Sequence, residues 1–147
     1  MMVGCQQEGR SMPLGELLGF PGCAGASTPV SGMQLDSRKV GAGDLFLALP
    51  GELHDGRQFI EQAVANGAAA VAAEAPVAGF VEDVAVPLVE VPELRQDVGF
   101  IASRFYGHPS WAMRTIGVTG TNGKTTTSRL IAQLERAMGN SCGVIGT

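Results

Sequence analysis

A glycine-rich string near the carboxyl end of this 147-residue chain limits its fold more than any other feature. Gly120-Thr121-Asn122-Gly123-Lys124-Thr125-Thr126 follows the apolar run Ile116-Gly117-Val118 and leads into a segment with helical spacing. Strand, glycine loop and helix in that order let backbone N–H groups close around a phosphate, because glycine turns tightly and lets the main chain approach an anion. Lys124 supplies a positive charge suited to β- and γ-phosphates, and Thr125 a hydroxyl suited to Mg²⁺. The string is a shortened phosphate loop, G-x-x-G-K-T, since Val118 stands where the longer form has its first glycine. The plainer alternative is an ordinary glycine turn before a helix. The flanking strand and helix signals favour a nucleotide, so ATP and Mg²⁺ are the expected cofactors.

Composition narrows the partners. A net charge of −4 leaves no basic stripe to neutralise a phosphate backbone, which argues against nucleic acid. Lys39 and Lys124 are the only lysines, so a lysine inside the glycine loop is conspicuous. Cys5, Cys23 and Cys142 have neither metal nor C-x-x-C spacing, which suits reduced thiols and a cytoplasmic location. No run approaches the ~20 apolar residues of a membrane span, so no membrane partner is expected. Met12 is a plausible native start, which makes residues 1–12 a disordered extension.

Two α/β regions are expected. The first, residues 13–108, opens with a short helix over Pro13–Leu18 led in by Ser11, followed by a Gly/Ala/Ser/Pro-rich loop over 19–32. Strands are expected at Met33–Asp36, Asp44–Leu49, Ala69–Ala73 and Val86–Val91, with Pro87 marking an edge. Phe59, Ile60, Ala63 and Val64 share one helical face over 58–66, and Gly67 sits where a C-terminal cap belongs. Leu94, Val98, Ile101, Ala102 and Phe105 repeat at helical spacing behind Pro92. Gly107-His108-Pro109-Ser110 then breaks the chain, 109–114 is a linker, and 115–147 begins a second domain. There, strands at Thr115–Thr119 and from Ser141 flank a helix bearing Leu130, Ile131, Leu134, Ala137 and Met138, closed by Gly139. This is a β–P-loop–α–β unit with parallel strands. It is too small to fold alone, so it is expected to be the truncated start of an ATP-binding domain.

Three further strings carry a resemblance. Leu35-Asp36-Ser37-Arg38, Gly43-Asp44-Leu45-Phe46-Leu47-Ala48-Leu49-Pro50-Gly51 and Asp55-Gly56-Arg57-Gln58-Phe59-Ile60 resemble the N-terminal domain of the Mur ligases, and Gly117 to Thr127 is similar to that family's ATP loop. Thr121-Asn122, Arg104 to Ser110 and Gly146-Thr147 resemble the MurE type within it. The resemblance implies an ATP-dependent amide ligase of peptidoglycan precursor synthesis. It would add diaminopimelate or lysine, as incoming amino acid, to UDP-N-acetylmuramoyl-L-alanyl-D-glutamate through an acyl phosphate. By matching positions it places the sugar nucleotide on Leu35, Ser37, Arg38, Glu52, Leu53 and His54. ATP falls on Gly120, Thr121, Asn122, Gly123, Lys124, Thr125 and Thr126, with Lys124 catalytic and Thr125 the metal ligand.

Plainer readings stand beside these. Asp36 and Ser37 suit a turn start, Arg38 and His54 a solvated surface, and His108 and Trp111 linker packing. The resemblance also implies that much of the ligase lies outside these 147 residues, so the chain alone is expected to be inactive. A non-catalytic short homologue that binds the precursor or a cell-wall enzyme is one alternative, and a MurF-type ligase another.

Overall fold

A computed structural model describes residues 10–51 and 54–146. These residues fall into two compact units divided along the chain between Pro109 and Ser110.

The first unit is built on a four-stranded parallel sheet, as an α/β chain requires. Its strands, β3 (Gly32–Gln34), β4 (Asp44–Ala48), β5 (Ala70–Glu74) and β6 (Leu88–Val91), lie side by side in chain order. Gly32 pairs with Asp44, Leu45 with Ala70, and Val71 with Leu88. Alternation along β4 and β5 divides the interior in two. Leu45, Leu47, Ala70 and Ala72 face one side, where α1 (Leu14–Leu18) and α3 (Leu94–Phe105) cover them with Leu14, Leu17, Leu94, Ile101 and Phe105. Phe46, Ala48, Val71 and Ala73 face the other, under Ile60 and Ala63 of α2 (Ile60–Ala65). A strand buried on both faces needs a continuous apolar run, and residues 45–48 of β4 and 70–73 of β5 supply one. Pro87 stands just before β6, the edge strand, where its missing N–H breaks no ladder.

Several boundaries move. Pro13, not Ser11, occupies the N-cap position of α1, and the helix ends at Gly19 in the left-handed region. Met12, assigned from sequence to the leading extension, pairs with Val30 in a short antiparallel ladder between β1 (Met12–Pro13) and β2 (Pro29–Val30). The rest of that extension as far as residue 9 lies outside the described residues. Phe59 does not belong to α2. It ends a 3₁₀ turn over Gly56–Phe59 and stays partly exposed, because the tighter turn rotates it off the buried stripe. Gly67 follows the helix with φ +106°, and a Cβ there would lie 3.2 Å from the Ala42 backbone, so only glycine fits without strain.

The second unit holds the glycine loop and α4 (Lys124–Ala137). Met138 is the C-cap of this helix and Gly139 follows at φ +85°. The two expected strands do not form: residues 114–119 and 141–146 make no ladder among the described residues. A parallel strand takes its hydrogen bonds from neighbours, and two short segments without further strands lack them. On the same account Leu130, Leu134 and Met138 stay more than half exposed.

Candidate functional site

Three parallel strands end close together in sequence-distant loops that share one cleft of about 680 Å³. In open parallel sheets the carboxyl ends of the strands are where such crevices form. Residues 35–38 leave β3, 49–51 leave β4, and Arg95 comes from the first turn of α3 after β6.

Of the residues assigned to the sugar nucleotide, Leu35, Ser37, Arg38 and His54 all line this cleft. Glu52 and Leu53 lie outside the described residues. Leu35 is exposed and offers an apolar surface. Among the described residues Ser37 is the one polar residue that is buried, and its hydroxyl donates to Oε1 of Gln62 at 2.7 Å. Asn66 Nδ2 donates to the Ser37 carbonyl at 2.9 Å. Asp36 caps the 3₁₀ turn Ser37–Lys39 by accepting the Arg38 backbone N–H at 3.1 Å. The Arg38 guanidinium closes a fork on the same carboxylate, Nε to Oδ1 at 2.9 Å and Nη2 to Oδ2 at 2.8 Å. These bonds hold the Asp36 carboxyl down at about 2, below its usual 3.8. Arg38 is thus solvated and paired at the same time, with most of its side chain open to an incoming anion.

The far rim repeats the device. Asp55 accepts the Arg57 backbone N–H at 3.0 Å and its guanidinium Nη2 at 2.6 Å, which lowers the Asp55 carboxyl below its usual range. Here the pair is mostly buried. Arg57 also donates to the Pro76 carbonyl at 2.9 Å and lies 4.3 Å from the Phe80 ring centroid, tying the β4–α2 turn to the loop after β5. The loop between is closed by the Gly51 N–H to His54 carbonyl bond at 3.0 Å and the Gly56 N–H to Leu49 carbonyl bond at 2.8 Å.

Phe59, Gln62 and Arg95 also line the cleft, although little in the sequence marks them as site residues. Arg95 donates from Nη2 to the Pro50 carbonyl, while its backbone N–H meets Glu74 Oε2 at 2.8 Å. No local pattern marks it, since its partners lie 45 and 21 positions away. Gln62 carried a weak signal, as a polar residue beside the apolar stripe of α2.

The second unit presents a different kind of site. Gly120 and Gly123 take φ of +144° and +77°, and Gly123 is the N-cap of α4, with no side chain to occupy the first-turn N–H groups. The Lys124 ammonium folds back onto the loop, donating to the Gly120 carbonyl at 2.6 Å and less closely to that of Thr121. Thr121, Asn122, Thr125 and Thr126 are exposed around it. An open N-terminus with a cation over it fits a phosphate chain. Among the described residues no cluster of three His, Cys, Asp or Glu could hold a metal. No described helix is long and apolar enough to cross a membrane.

Comparison with known proteins agrees with both regions. The Mur ligase family, catalytic domain, matches residues 29–106, more than half of the chain and all within the first unit. The UDP-N-acetylmuramoyl-L-alanyl-D-glutamate–2,6-diaminopimelate ligase of Ectopseudomonas mendocina is 50% identical over 136 residues, which cover 92% of this chain and 27% of that protein. The ligase of the same name from Geobacillus kaustophilus is 44% identical over 134 residues, 91% of this chain and 26% of its own length. A solved structure of a 2,6-diaminopimelate ligase superposes with a TM-score of 0.71 at 35% identity, over 94% of this chain and 28% of that one. The MurF ligase from Thermotoga maritima, in complex with ADP, gives 0.54 at 30% identity, over 71% and 23%. The chain therefore spans about a quarter of the length of the relatives it matches. It belongs to the Mur ligase family.

Proposed function

We propose that this chain carries the sugar-nucleotide site and the ATP loop of a ligase that joins 2,6-diaminopimelate to UDP-N-acetylmuramoyl-L-alanyl-D-glutamate. One observation carries the reading: 50% identity to a ligase of that name runs through both the cleft and the glycine loop. The names of the relatives favour diaminopimelate over lysine, and this activity over that of a MurF-type enzyme.

In this reading the cleft of the first unit holds the uridine diphosphate end of the precursor. Leu35 gives the base an apolar wall, Ser37 a polar contact, and Arg38 and Arg95 bring positive charge to the diphosphate. His54 lines the cleft, and Glu52 and Leu53 are assigned to the same ligand by family position alone. In the second unit the Gly120–Thr126 backbone cradles the ATP phosphates and Lys124 exchanges the Gly120 carbonyl for a phosphate oxygen. The Thr125 hydroxyl would hold Mg²⁺, which would supply positive charge to the nucleotide phosphates. When bound, ATP supplies the phosphoryl group that activates the carboxylate to be joined. Lys124 offsets the charge that moves in that transfer. This reading places the chain in the cytoplasm and calls for neither a membrane nor a nucleic-acid partner.

Calorimetric titration of the 147-residue chain tests the reading, first with UDP-N-acetylmuramoyl-L-alanyl-D-glutamate and then with Mg-ATP. Saturable binding of the sugar nucleotide, weakened by Ser37→Ala, is expected. A folded protein that binds neither ligand would refute it.

A further inference from the structure

One helix grips the Ser37 turn from both ends. Gln62 takes the hydroxyl hydrogen bond and Asn66 donates to the carbonyl of the same residue. The two side chains are four positions apart, Gln62 within α2 and Asn66 at its C-cap, so they stand on one face. The helix is itself anchored by Ile60 and Ala63 in the interior. The turn is therefore referenced to the sheet core, and not only to its own Asp36–Arg38 pair. A serine hydroxyl has one proton to give and two lone pairs to receive with. At Ser37 the proton is committed to Gln62, and Ser37 and Gln62 both line the cleft. What Ser37 presents there is an acceptor.

We propose that Gln62 is a positioning residue for the sugar nucleotide: by holding the Ser37 hydroxyl as an acceptor, it makes Ser37 read a neutral donor of the ligand, a uracil N–H or a ribose O–H, and not a phosphate oxygen. The inference rests on the cleft being the sugar-nucleotide site. It divides the labour there, because the guanidinium groups of Arg38 and Arg95 are donors and suit the anion, while Ser37 suits the uncharged nucleoside. Gln62 acts through Ser37, so its contribution exists only while the serine hydroxyl does.

A double-mutant cycle on the 147-residue chain, read by calorimetry with UDP-N-acetylmuramoyl-L-alanyl-D-glutamate, tests this. Ser37→Ala and Gln62→Leu are each expected to weaken binding about five- to ten-fold, the range of one neutral hydrogen bond. The double variant is expected to bind no worse than Ser37→Ala alone. Unfolding temperature is followed for each, and Gln62→Met replaces the leucine variant if that one does not fold. Further weakening in the double variant, or wild-type affinity in Gln62→Leu beside a weakened Ser37→Ala, would overturn the positioning role and leave the sugar-nucleotide site standing. Failure of the unaltered protein to bind would instead defeat the site itself. Titration with UDP, its N3-methyl form and its 2′- and 3′-deoxy forms identifies the donor. The form whose affinity no longer responds to Ser37→Ala lacks the group that Ser37 reads. An equal response across all four would overturn the acceptor assignment.

Discussion

The two units reach their sites by opposite routes. In the first, the cleft is assembled from loops that only a finished sheet brings together, and its polar groups are paired in advance: Ser37 with Gln62, Asp36 with Arg38, Asp55 with Arg57. In the second, the loop is local. Seven consecutive residues and the start of one helix make it, and it takes shape although neither neighbouring strand does. A phosphate loop depends on backbone angles that glycine supplies by itself, whereas a cleft depends on register between strands. The site of the first unit is thus shaped by a core, and that of the second by its own backbone.

The largest expected difference lies in the interior. Phe46 of β4 is fully buried beneath α2, so Phe46→Ala should cost about 3–5 kcal/mol in urea unfolding. Leu134→Ala, on an exposed helix face, should stay within about 0.5 kcal/mol. Comparable losses at both positions would erase the contrast. Next comes Arg57→Ala, which removes the guanidinium from a mostly buried carboxylate and from Phe80. A loss of about 2–3 kcal/mol is expected, and a neutral result would show that Asp55 finds water instead.

In the second unit the effect should appear in affinity and not in stability. Lys124→Ala is expected to weaken Mg-ATP binding at least about ten-fold with little change in unfolding, since a charge-assisted bond is lost from an exposed loop. Smallest is a pH effect. The Asp36 carboxyl sits at about 2 in the folded chain against 3.8 unperturbed, so its contribution is present above about pH 4 and fades as pH falls through 2. Asp36→Asn should flatten that part of the stability curve, and salt should shrink the difference because the pair is exposed. An unchanged curve at low ionic strength would mean that the fork exists without coupling to folding.

What was legible in the chain follows the same division. Gly123 and Gly139 mark both ends of α4, and the unbroken apolar run through Leu45, Phe46 and Leu47 announces a buried strand. Ser37, Arg38 and His54 are recognisable by family position and do come to one cleft. Gln62 and Arg95 were not legible, because what makes them cleft residues is contact across 25 and 45 positions. Phe59 was misplaced because periodicity does not distinguish a 3₁₀ turn from the first turn of an α-helix. The strands at 115–119 and 141–145 were expected from composition, yet a strand exists only with a partner to bond it.

Phe46 and Leu47 belong to the two opposite cores, and both also border the cleft. With the proposed sugar nucleotide bound in that cleft, ligand occupancy and folding become linked quantities. A sugar nucleotide present at a hundred times its dissociation constant would raise the unfolding free energy by about 2.7 kcal/mol. Conversely, repacking either residue to harden the protein would reshape the surface the ligand meets. On β4, thermal robustness and molecular recognition are not independently adjustable traits.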